Sequence, residues 1–161
     1  MKKRTKFDPN EIIEYDDYAE IVLYDKNCEE KARTLIDLED IDKVKGYKWC
    51  LKNSGHVHNH DIHLHRLIMD CPDDMVVDHI NHNTLDNRKS NLRVCTQQQN
   101  TMNKKCTGVS WVNKSKKWRA RITYKNKQIS LGSFDTKEEA LEARRQAEID
   151  LFGEYRYKDE D

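Results

Sequence analysis

The feature that most constrains the fold is the stretch from residue 76 to residue 103, where two short apolar segments flank a loop rich in asparagine. The first segment begins at Val76 and Val77, and the second contains Leu92 and Val94. Each apolar run is short enough for a strand, and the polar run from Gln97 indicates the start of a helix. The stretch is therefore predicted to fold as strand, polar loop, strand and helix.

The chain has 161 residues, of which 36% are charged and 36% are apolar. This length allows one domain, or two small modules of about 50 to 100 residues each. With so little apolar material the cores are small, and many positions are left for solvent or a ligand. This composition is compatible with a nucleic acid or another polyanion as partner.

The formal net charge is zero, but the charge is unevenly distributed along the chain. Residues 1 to 45 contain 13 acids and 9 bases, whereas residues 104 to 127 contain nine bases and no acid. Three aromatic residues, Trp111, Trp118 and Tyr124, lie among these bases. A run of like charge is often only a solvated face, but this combination favours polyanion binding.

The cysteines argue against both a disulfide framework and a zinc ribbon. They are five in number and include no Cys-x-x-Cys pair, so reduced thiols are predicted. They are Cys28, Cys50, Cys71, Cys95 and Cys106. The sequence also contains no apolar segment of 18 residues and no apolar signal region near its start. We therefore expect an intracellular protein without a membrane partner.

The first half alternates short β-forming runs with turn-forming residues, which predicts an antiparallel region of short strands. A flexible arm is expected over residues 1–10. The predicted strands cover residues 18–24, 33–36, 47–51 and 56–60. A helical turn is predicted at 38–44 and a short helix at 63–69, since apolar residues recur there at helical spacing before Pro72.

The last part of the chain has the pattern of a sheet followed by a helix. Between residues 118 and 124, apolar and basic or polar residues alternate with a period of two, and residues 125–127 predict a hairpin turn. Thr136 is a suitable N-cap for a helix over residues 137–152, whose first turn carries Glu138 and Glu139. This predicts a three-stranded sheet packed on one helix, with the basic residues on the opposite face.

Asp78 and His79 are the residues best suited to chemistry. Hydrolysis of a phosphodiester requires a nucleophilic water, a base, and a cation that stabilises the developing charge. Because neighbouring strand residues point to opposite faces, one of the two side chains can bind a metal while the other faces the water. The following helix returns Asn100 towards Asp78, and two oxygen ligands favour Mg²⁺ or Mn²⁺.

Several motifs over residues 45 to 103 together resemble the HNH homing endonucleases of phages and mobile introns. They are His65-Arg66-Leu67, Val77-Asp78-His79, the loop from Asn81 to Asn87, Asn91-Leu92-Arg93 and the run from Thr96 to Asn100.

This resemblance implies a ββα-metal finger at about residues 75–103 and assigns roles within it. His79 is the general base, Asp78 and Asn100 are the metal ligands, and Asn91 fixes the loop and orients the base. His65 is placed close to the finger, where it contacts a phosphate. Lys89 and Arg93 are expected to contact phosphate because of their charge and position. The asparagines at 81, 83 and 87 are interpreted as turn formers.

A second resemblance covers residues 107 to 155 and is most specific in Leu131-Gly132-Ser133-Phe134-Asp135-Thr136. It is to the DNA-binding domain of plant ethylene-response factors, in which a three-stranded sheet enters the major groove. The expected DNA contacts are Ser110, Lys114, Lys116, Lys117, Arg119, Arg121, Thr123, Gln128 and Ser130. Since Ser110 and Val112 stand where the plant domains carry arginine, the plant target site does not transfer.

Together these patterns predict an α+β protein with an arm at 1–10, an HNH nuclease domain at 11–103, a linker at 104–107, a DNA-binding domain at 108–155 and a tail at 156–161. The predicted function is metal-dependent cleavage of double-stranded DNA. A single finger favours a monomer that nicks one strand, and no small-molecule cofactor beyond the metal is expected. The expected location is the cytoplasm of a bacterial host.

Three alternatives remain open at this point. One is a DNA-binding regulator derived from an HNH nuclease but without activity, and another is an RNA binder, although no aromatic stacking platform is evident. The third concerns His56, His58 and His60, which on one strand would share a face and could hold a zinc or nickel ion.

Overall fold

The computed structural model describes residues 4–5, 7–60, 62–105 and 107–158. The chain divides into two compact units, Met1–Thr96 and Gln97–Asp161. Both units combine short antiparallel sheets with helices, which confirms the predicted α+β class. Among the described residues, no helix is long and apolar enough to cross a membrane.

The first unit contains three small antiparallel sheets. The first sheet consists of β1 (Ile12–Glu14), β2 (Ala19–Tyr24) and β3 (Glu30–Ile36), and helix α1 (Ile41–Val44) follows it. The second consists of β4 (Cys50–Leu51), β5 (Val57–Asn59) and β6 (Ile62–His63), and helix α2 (Leu64–Ile68) follows directly. The third pairs β7 (Val76–His79) with β8 (Leu92–Cys95).

The strand predicted over residues 47–51 is shorter in the structure, because the backbone before β4 is held by a side chain. The Trp49 amide donates to Asn10 Oδ1 at 2.8 Å, and Asn10 Nδ2 donates to the Trp49 carbonyl at 3.0 Å and the Val22 carbonyl at 2.7 Å. These bonds replace ladder bonds at Trp49. They also tie Asn10, which the sequence places in the N-terminal arm, to the body of the first unit.

One hydrophobic core unites the elements of the first unit. Ile21, Trp49 and Leu64 are almost completely buried in it, and Trp49 Nε1 also donates to the Val44 carbonyl at 3.0 Å. Val77 of β7 and Leu92 of β8 belong to the same core. The third sheet is therefore anchored by apolar residues directly beside Asp78 and His79. Cys28, Cys50, Cys71 and Cys95 are free thiols, whereas Cys106 lies outside the described residues.

The second unit begins with helix α3 (Gln97–Met102) and continues with a three-stranded sheet and a long helix. The sheet has the order β11-β10-β9, with β9 at Val109–Val112, β10 at Lys117–Tyr124 and β11 at Lys127–Phe134. Helix α4 (Lys137–Phe152) begins with a capping box, in which the Glu139 amide donates to Thr136 Oγ1 and the Thr136 amide donates to Glu139 Oε2, each at 3.2 Å. This satisfies two of the amides that a helix start leaves unbonded.

The predicted alternation along β10 is present in the structure. Ala120 and Ile122 are buried, as is Ala140 of the adjoining α4. The turn between β10 and β11 consists of Lys125 and Asn126, with φ of 47° and 60°. Two successive positive φ values are typical of the tight hairpin turn that matches the twist of the strands.

Candidate functional site

The candidate catalytic pair lies at the end of β7, opposite β8. Asp78 pairs with Arg93 and His79 pairs with Leu92 in the antiparallel register. Asp78 and His79 are 6% and 5% exposed, so both polar side chains are held inside the unit. Buried polar groups are costly unless they are bonded. The partners of these two side chains therefore indicate how the site is built.

Asp78 is paired with the arginine directly across the sheet. Arg93 Nε and Nη2 donate to Asp78 Oδ2 at 2.9 and 2.6 Å. This ion pair occupies the guanidinium that the sequence suggested for a phosphate contact. Lys89, suggested for the same role, forms ion pairs with Glu39 and Asp40.

His79 is bonded to an asparagine that the sequence suggested only as a turn former. His79 Nε2 lies 3.2 Å from Asn87 Oδ1, and Asn87 is completely buried. Asn87 Nδ2 donates to the Thr84 carbonyl at 3.2 Å and to Thr34 Oγ1 at 2.8 Å. Because a carbonyl can only accept, the amide orientation of Asn87 is fixed and its oxygen faces the histidine.

This chain of hydrogen bonds determines which ring nitrogen of neutral His79 carries the proton. Since Asn87 Oδ1 is an acceptor, neutral His79 carries its proton on Nε2 and its lone pair on Nδ1. The Thr34 hydroxyl is used consistently, because it donates to the Leu85 carbonyl at 2.8 Å while accepting from Asn87. Every donor in the chain thus has an acceptor.

The loop that carries Asn87 is attached to β3. The Leu35 amide donates to the Leu85 carbonyl at 2.8 Å, and the Asn87 amide donates to the Leu35 carbonyl at 2.9 Å. A parallel bridge joins Leu35 and Asp86. The first sheet therefore positions the backbone on both sides of Asp86. Thr34, which bonds to the Asn87 side chain from this sheet, lies 53 residues before Asn87 in the sequence.

Asn91 closes the same loop at its base. Its Oδ1 accepts from the Asn81 amide at 3.0 Å, and its Nδ2 donates to the Asp86 carbonyl at 2.9 Å. The Ile80 amide also donates to the Asn91 carbonyl at 2.9 Å. Asn91 thus bonds to the loop backbone, whereas Asn87 bonds directly to the imidazole of His79.

Two further histidines surround His79. The ring of His65 lies 5.2 Å from the ring of His79, and that of His56 lies 5.8 Å away. Burial lowers the pKa of His79 below its ordinary value of 6.5, an effect that the bond to Asn87 partly opposes. His65 is 8% exposed, and burial, reinforced by His79 and His56, lowers its pKa to about 3. Both rings are therefore neutral at neutral pH.

The alternating histidines are not part of a metal-holding group among the described residues. His58 packs near His63 at 6.3 Å, His56 lies near His65 at 5.4 Å, and His60 has a φ of 34° and follows the end of β5. Across the described ranges, no group of three or more His, Cys, Asp or Glu side chains is arranged to hold a metal ion.

His65 makes stability depend on pH. Its folded pKa is about 3, and its unfolded pKa is near 6.5, so the unfolded chain binds the extra proton first. We expect the thermal unfolding temperature to fall as the pH decreases from about 6.5 towards 3, with a shallower fall in His65→Gln. Calorimetry from pH 7 to pH 4.5 measures this. His82→Asn, at an exposed left-handed position that Asn tolerates, should keep the wild-type slope. Equal slopes for His65→Gln and wild type would contradict the assignment.

Asn100, the other expected metal ligand, is a half-buried residue of α3 in the second unit. Its carbonyl accepts from the Asn103 amide at 3.3 Å.

The second unit presents the expected DNA-contacting residues mainly on one face of its sheet. Arg119 lies opposite Ser110, Arg121 opposite Ser130, and Thr123 opposite Gln128. Directly paired residues share a face, so these six side chains lie on the side away from α4. Arg121 Nη1 donates to Gln128 Oε1 at 3.1 Å.

The three expected lysines lie in the turn between β9 and β10 and at the first residue of β10. Lys114 and Lys116 are exposed in the turn between β9 and β10, and Lys116 has a φ of 49°. Lys117, the first residue of β10, forms an ion pair of 3.1 Å with Asp135.

Comparison with known proteins identifies the class. Residues 63–102 match the family model of the HNH endonucleases. The chain is also similar to a protein of Acanthamoeba polyphaga mimivirus described as an uncharacterized HNH endonuclease. The identity is 32% over an alignment of 171 positions, which covers 96% of this chain and 91% of the viral protein. No solved structure matches the chain.

These matches define the protein as a nuclease, and the chain belongs to the HNH endonuclease family. HNH nucleases generally depend on a divalent metal ion and would act on DNA. In the first unit, the buried Asp78 carboxylate is a hard oxygen donor of the kind that such an ion takes, and its neighbour His79 is neutral. The bacterial cytoplasm as location stays a prediction.

Proposed function

We propose that the protein is a divalent-metal-dependent endonuclease that hydrolyses phosphodiester bonds in double-stranded DNA, with His79 as the general base. The observation that carries this proposal is the chain of hydrogen bonds from Thr34 through Asn87 to His79. It holds a buried, neutral imidazole in a single tautomer next to a buried carboxylate. A general base needs both a fixed lone pair and a pKa below the working pH.

In the proposed reaction, His79 Nδ1 accepts a proton from the attacking water. The imidazolium that forms keeps its bond from Nε2 to Asn87 Oδ1, and the amide dipole stabilises the new charge. Burial, which keeps the pKa of His79 low, keeps the base unprotonated before the step. Asn87 thus acts as a positioning residue, while His79 contacts the reacting water.

Asp78 and Asn100 would hold the metal ion, and their oxygen ligands suit Mg²⁺ or Mn²⁺. When bound, the ion supplies stabilisation of the negative charge on the phosphate and on the leaving oxygen. Arg93 contributes by fixing the orientation of the Asp78 carboxylate across the sheet. Asn91 contributes by closing the loop between β7 and β8, which together with α3 would form the ββα-metal finger.

The sheet of the second unit is proposed to bind the duplex in the manner of the ethylene-response-factor domains, with a preference for certain sequences. Its face carries Arg119 and Arg121 among small polar residues, and such side chains can contact both phosphates and base edges. One catalytic histidine per chain favours a monomer that nicks one strand, as homing-type enzymes can do.

The proposal is tested by mapping DNA ends. Plasmids with diverse inserts, including the DNA that flanks the gene, are incubated with protein and Mg²⁺, Mn²⁺ or EDTA, and new 5′ ends are sequenced. We expect ends at preferred sites with either metal and none with EDTA. Intact plasmid with both metals, but normal duplex binding, would instead support a DNA-binding regulator without activity. Unchanged ends in EDTA would contradict the metal dependence.

A further inference from the structure

A basic cleft lies in the second unit, beside the sheet face described above. Its volume is about 540 Å³, and among the described residues that line it there are four bases and no acid. The bases are Lys104, Arg121, Lys125 and Arg144. Four positive charges around one concave surface attract an anion.

Arg144 of α4 is the unusual member of this group. It is 7% exposed, and its Nη2 forms an ion pair of 2.9 Å with Glu148. Its Nε and Nη1 are buried and have no hydrogen-bond partner in the part of the chain that the structure describes. Leaving such donors unbonded costs free energy, and the cost is larger for a charged group. A ligand that supplies hydrogen-bond acceptors to this guanidinium would therefore stabilise the folded unit.

Gly108 packs closely against the Arg144 side chain. A Cβ at this position would lie 2.5 Å from the Arg121 carbonyl oxygen and 2.8 Å from Arg144 Nε, and its φ is +54°. Any other residue would press on Arg144 and strain the backbone. A glycine at this position therefore allows Arg144 to keep its place at the edge of the cleft.

The cleft is continuous with the sheet face. Ser110, Arg121, Thr123 and Gln128 line the cleft and also belong to the face proposed to meet DNA. A ligand on that face is thus within reach of the cleft without leaving the second unit. The guanidinium group of arginine donates strong, charge-assisted hydrogen bonds to phosphate oxygens, and Arg144 has two unbonded donors, Nε and Nη1, that point in different directions.

We propose that this cleft binds a phosphate group of the DNA backbone, with Arg144 as the central ligand and Lys104 and Lys125 as outer charges. The helix behind the sheet thereby contributes to a contact that the sheet alone would not make. This inference rests on the proposed binding of DNA by the second unit, but it does not depend on cleavage.

Duplex binding by the full-length protein tests the inference, with Arg144→Gln compared with Arg145→Gln. Both variants lose one positive charge. Arg145 is the exposed neighbour on the same helix and lies outside the lining of the cleft, so only Arg144→Gln changes the cleft itself. We expect Arg144→Gln to weaken binding by about tenfold and to reduce the slope of log affinity against log salt by about one. Arg145→Gln should bind close to wild type. Equal losses in both variants would overturn the assignment.

A measurement on the wild-type protein covers the case in which Arg144→Gln fails to fold. The ¹⁵N-labelled protein is titrated with duplex, with inorganic phosphate and with ATP at matched ionic strength, and the Nε–H signal of Arg144 is followed. A shift of this signal with duplex at concentrations where ATP and phosphate have no effect supports a backbone phosphate. An unchanged signal at saturating duplex, or a shift with ATP alone, would overturn it.

The two proposals fail separately. Wild-type binding and wild-type cleavage by Arg144→Gln would remove the phosphate site and leave the nuclease. Binding that depends on Arg144, without cleavage under any metal, would remove the nuclease and leave the phosphate site.

Discussion

His79→Ala is expected to reduce DNA cleavage by about 10²- to 10⁴-fold while leaving duplex affinity close to wild type. The substitution removes the only group proposed to take the proton from water, and it leaves the second-unit sheet face unchanged. Single-turnover nicking with Mg²⁺ measures the rate, and fluorescence anisotropy measures the affinity.

The matched control is His82→Asn, because His82 lies exposed in the same loop region and has no proposed role. It should cleave at the wild-type rate. Added imidazole should partly restore cleavage by His79→Ala, since it can enter the space that the side chain leaves. Wild-type turnover by His79→Ala would refute the assignment of the base.

Asn87 is expected to give the second large effect, visible in both rate and pH dependence. Asn87→Leu removes the acceptor that fixes the tautomer of His79, so cleavage should fall by about 10- to 100-fold. Asn87→Asp keeps an acceptor but places a carboxylate next to the imidazole, which raises the pKa of His79.

The direction of the pH effect follows from the requirement for a neutral base. In the wild type the pKa of His79 is below 6.5, so the rate should be nearly constant above pH 6.5 and fall as the pH drops through that pKa. In Asn87→Asp this fall should begin at higher pH. The control is Asn83→Asp, which places the same charge in the same loop at an exposed turn position. A profile for Asn87→Asp that coincides with the wild type, with normal thermal stability, would show that Asn87 does not act on the base.

Local patterns in the sequence predicted the sheet and the long helix of the second unit. The alternation from Trp118 to Tyr124 predicted which side chains of β10 are buried, and Thr136 predicted the start of α4. Both features depend on residues that lie close together in the sequence. In contrast, β1 consists of three residues and was not predicted, and the single antiparallel region expected for the first half divides into separate sheets.

The arrangement around His79 could be predicted only in part. The sequence suggested Asp78 and His79 as a pair, but it offered no local reason to distinguish Asn87 from Asn81 and Asn83. The last two do form turns, since their Oδ1 atoms accept from amides two positions further on. Asn87 differs because its partner Thr34 comes from another sheet, and no local pattern encodes that contact. The ion pair between Arg93 and Asp78 is easier to predict from the sequence, since opposite charges at facing positions of two predicted strands attract each other.

The attachment of the Asn87 loop to β3 has a consequence for folding and for truncated forms of the protein. The HNH segment alone lacks Thr34 and Leu35, so a fragment that starts at residue 63 would contain His79 and Asn87 but would keep only the Thr84 carbonyl as a described partner of the Asn87 side-chain amide. The proposed base is thus expected to be positioned only in the completed first unit, after contacts between distant parts of the chain have formed. A chain that lacks the residues before position 63 would carry the whole HNH segment and is still expected to cleave DNA poorly.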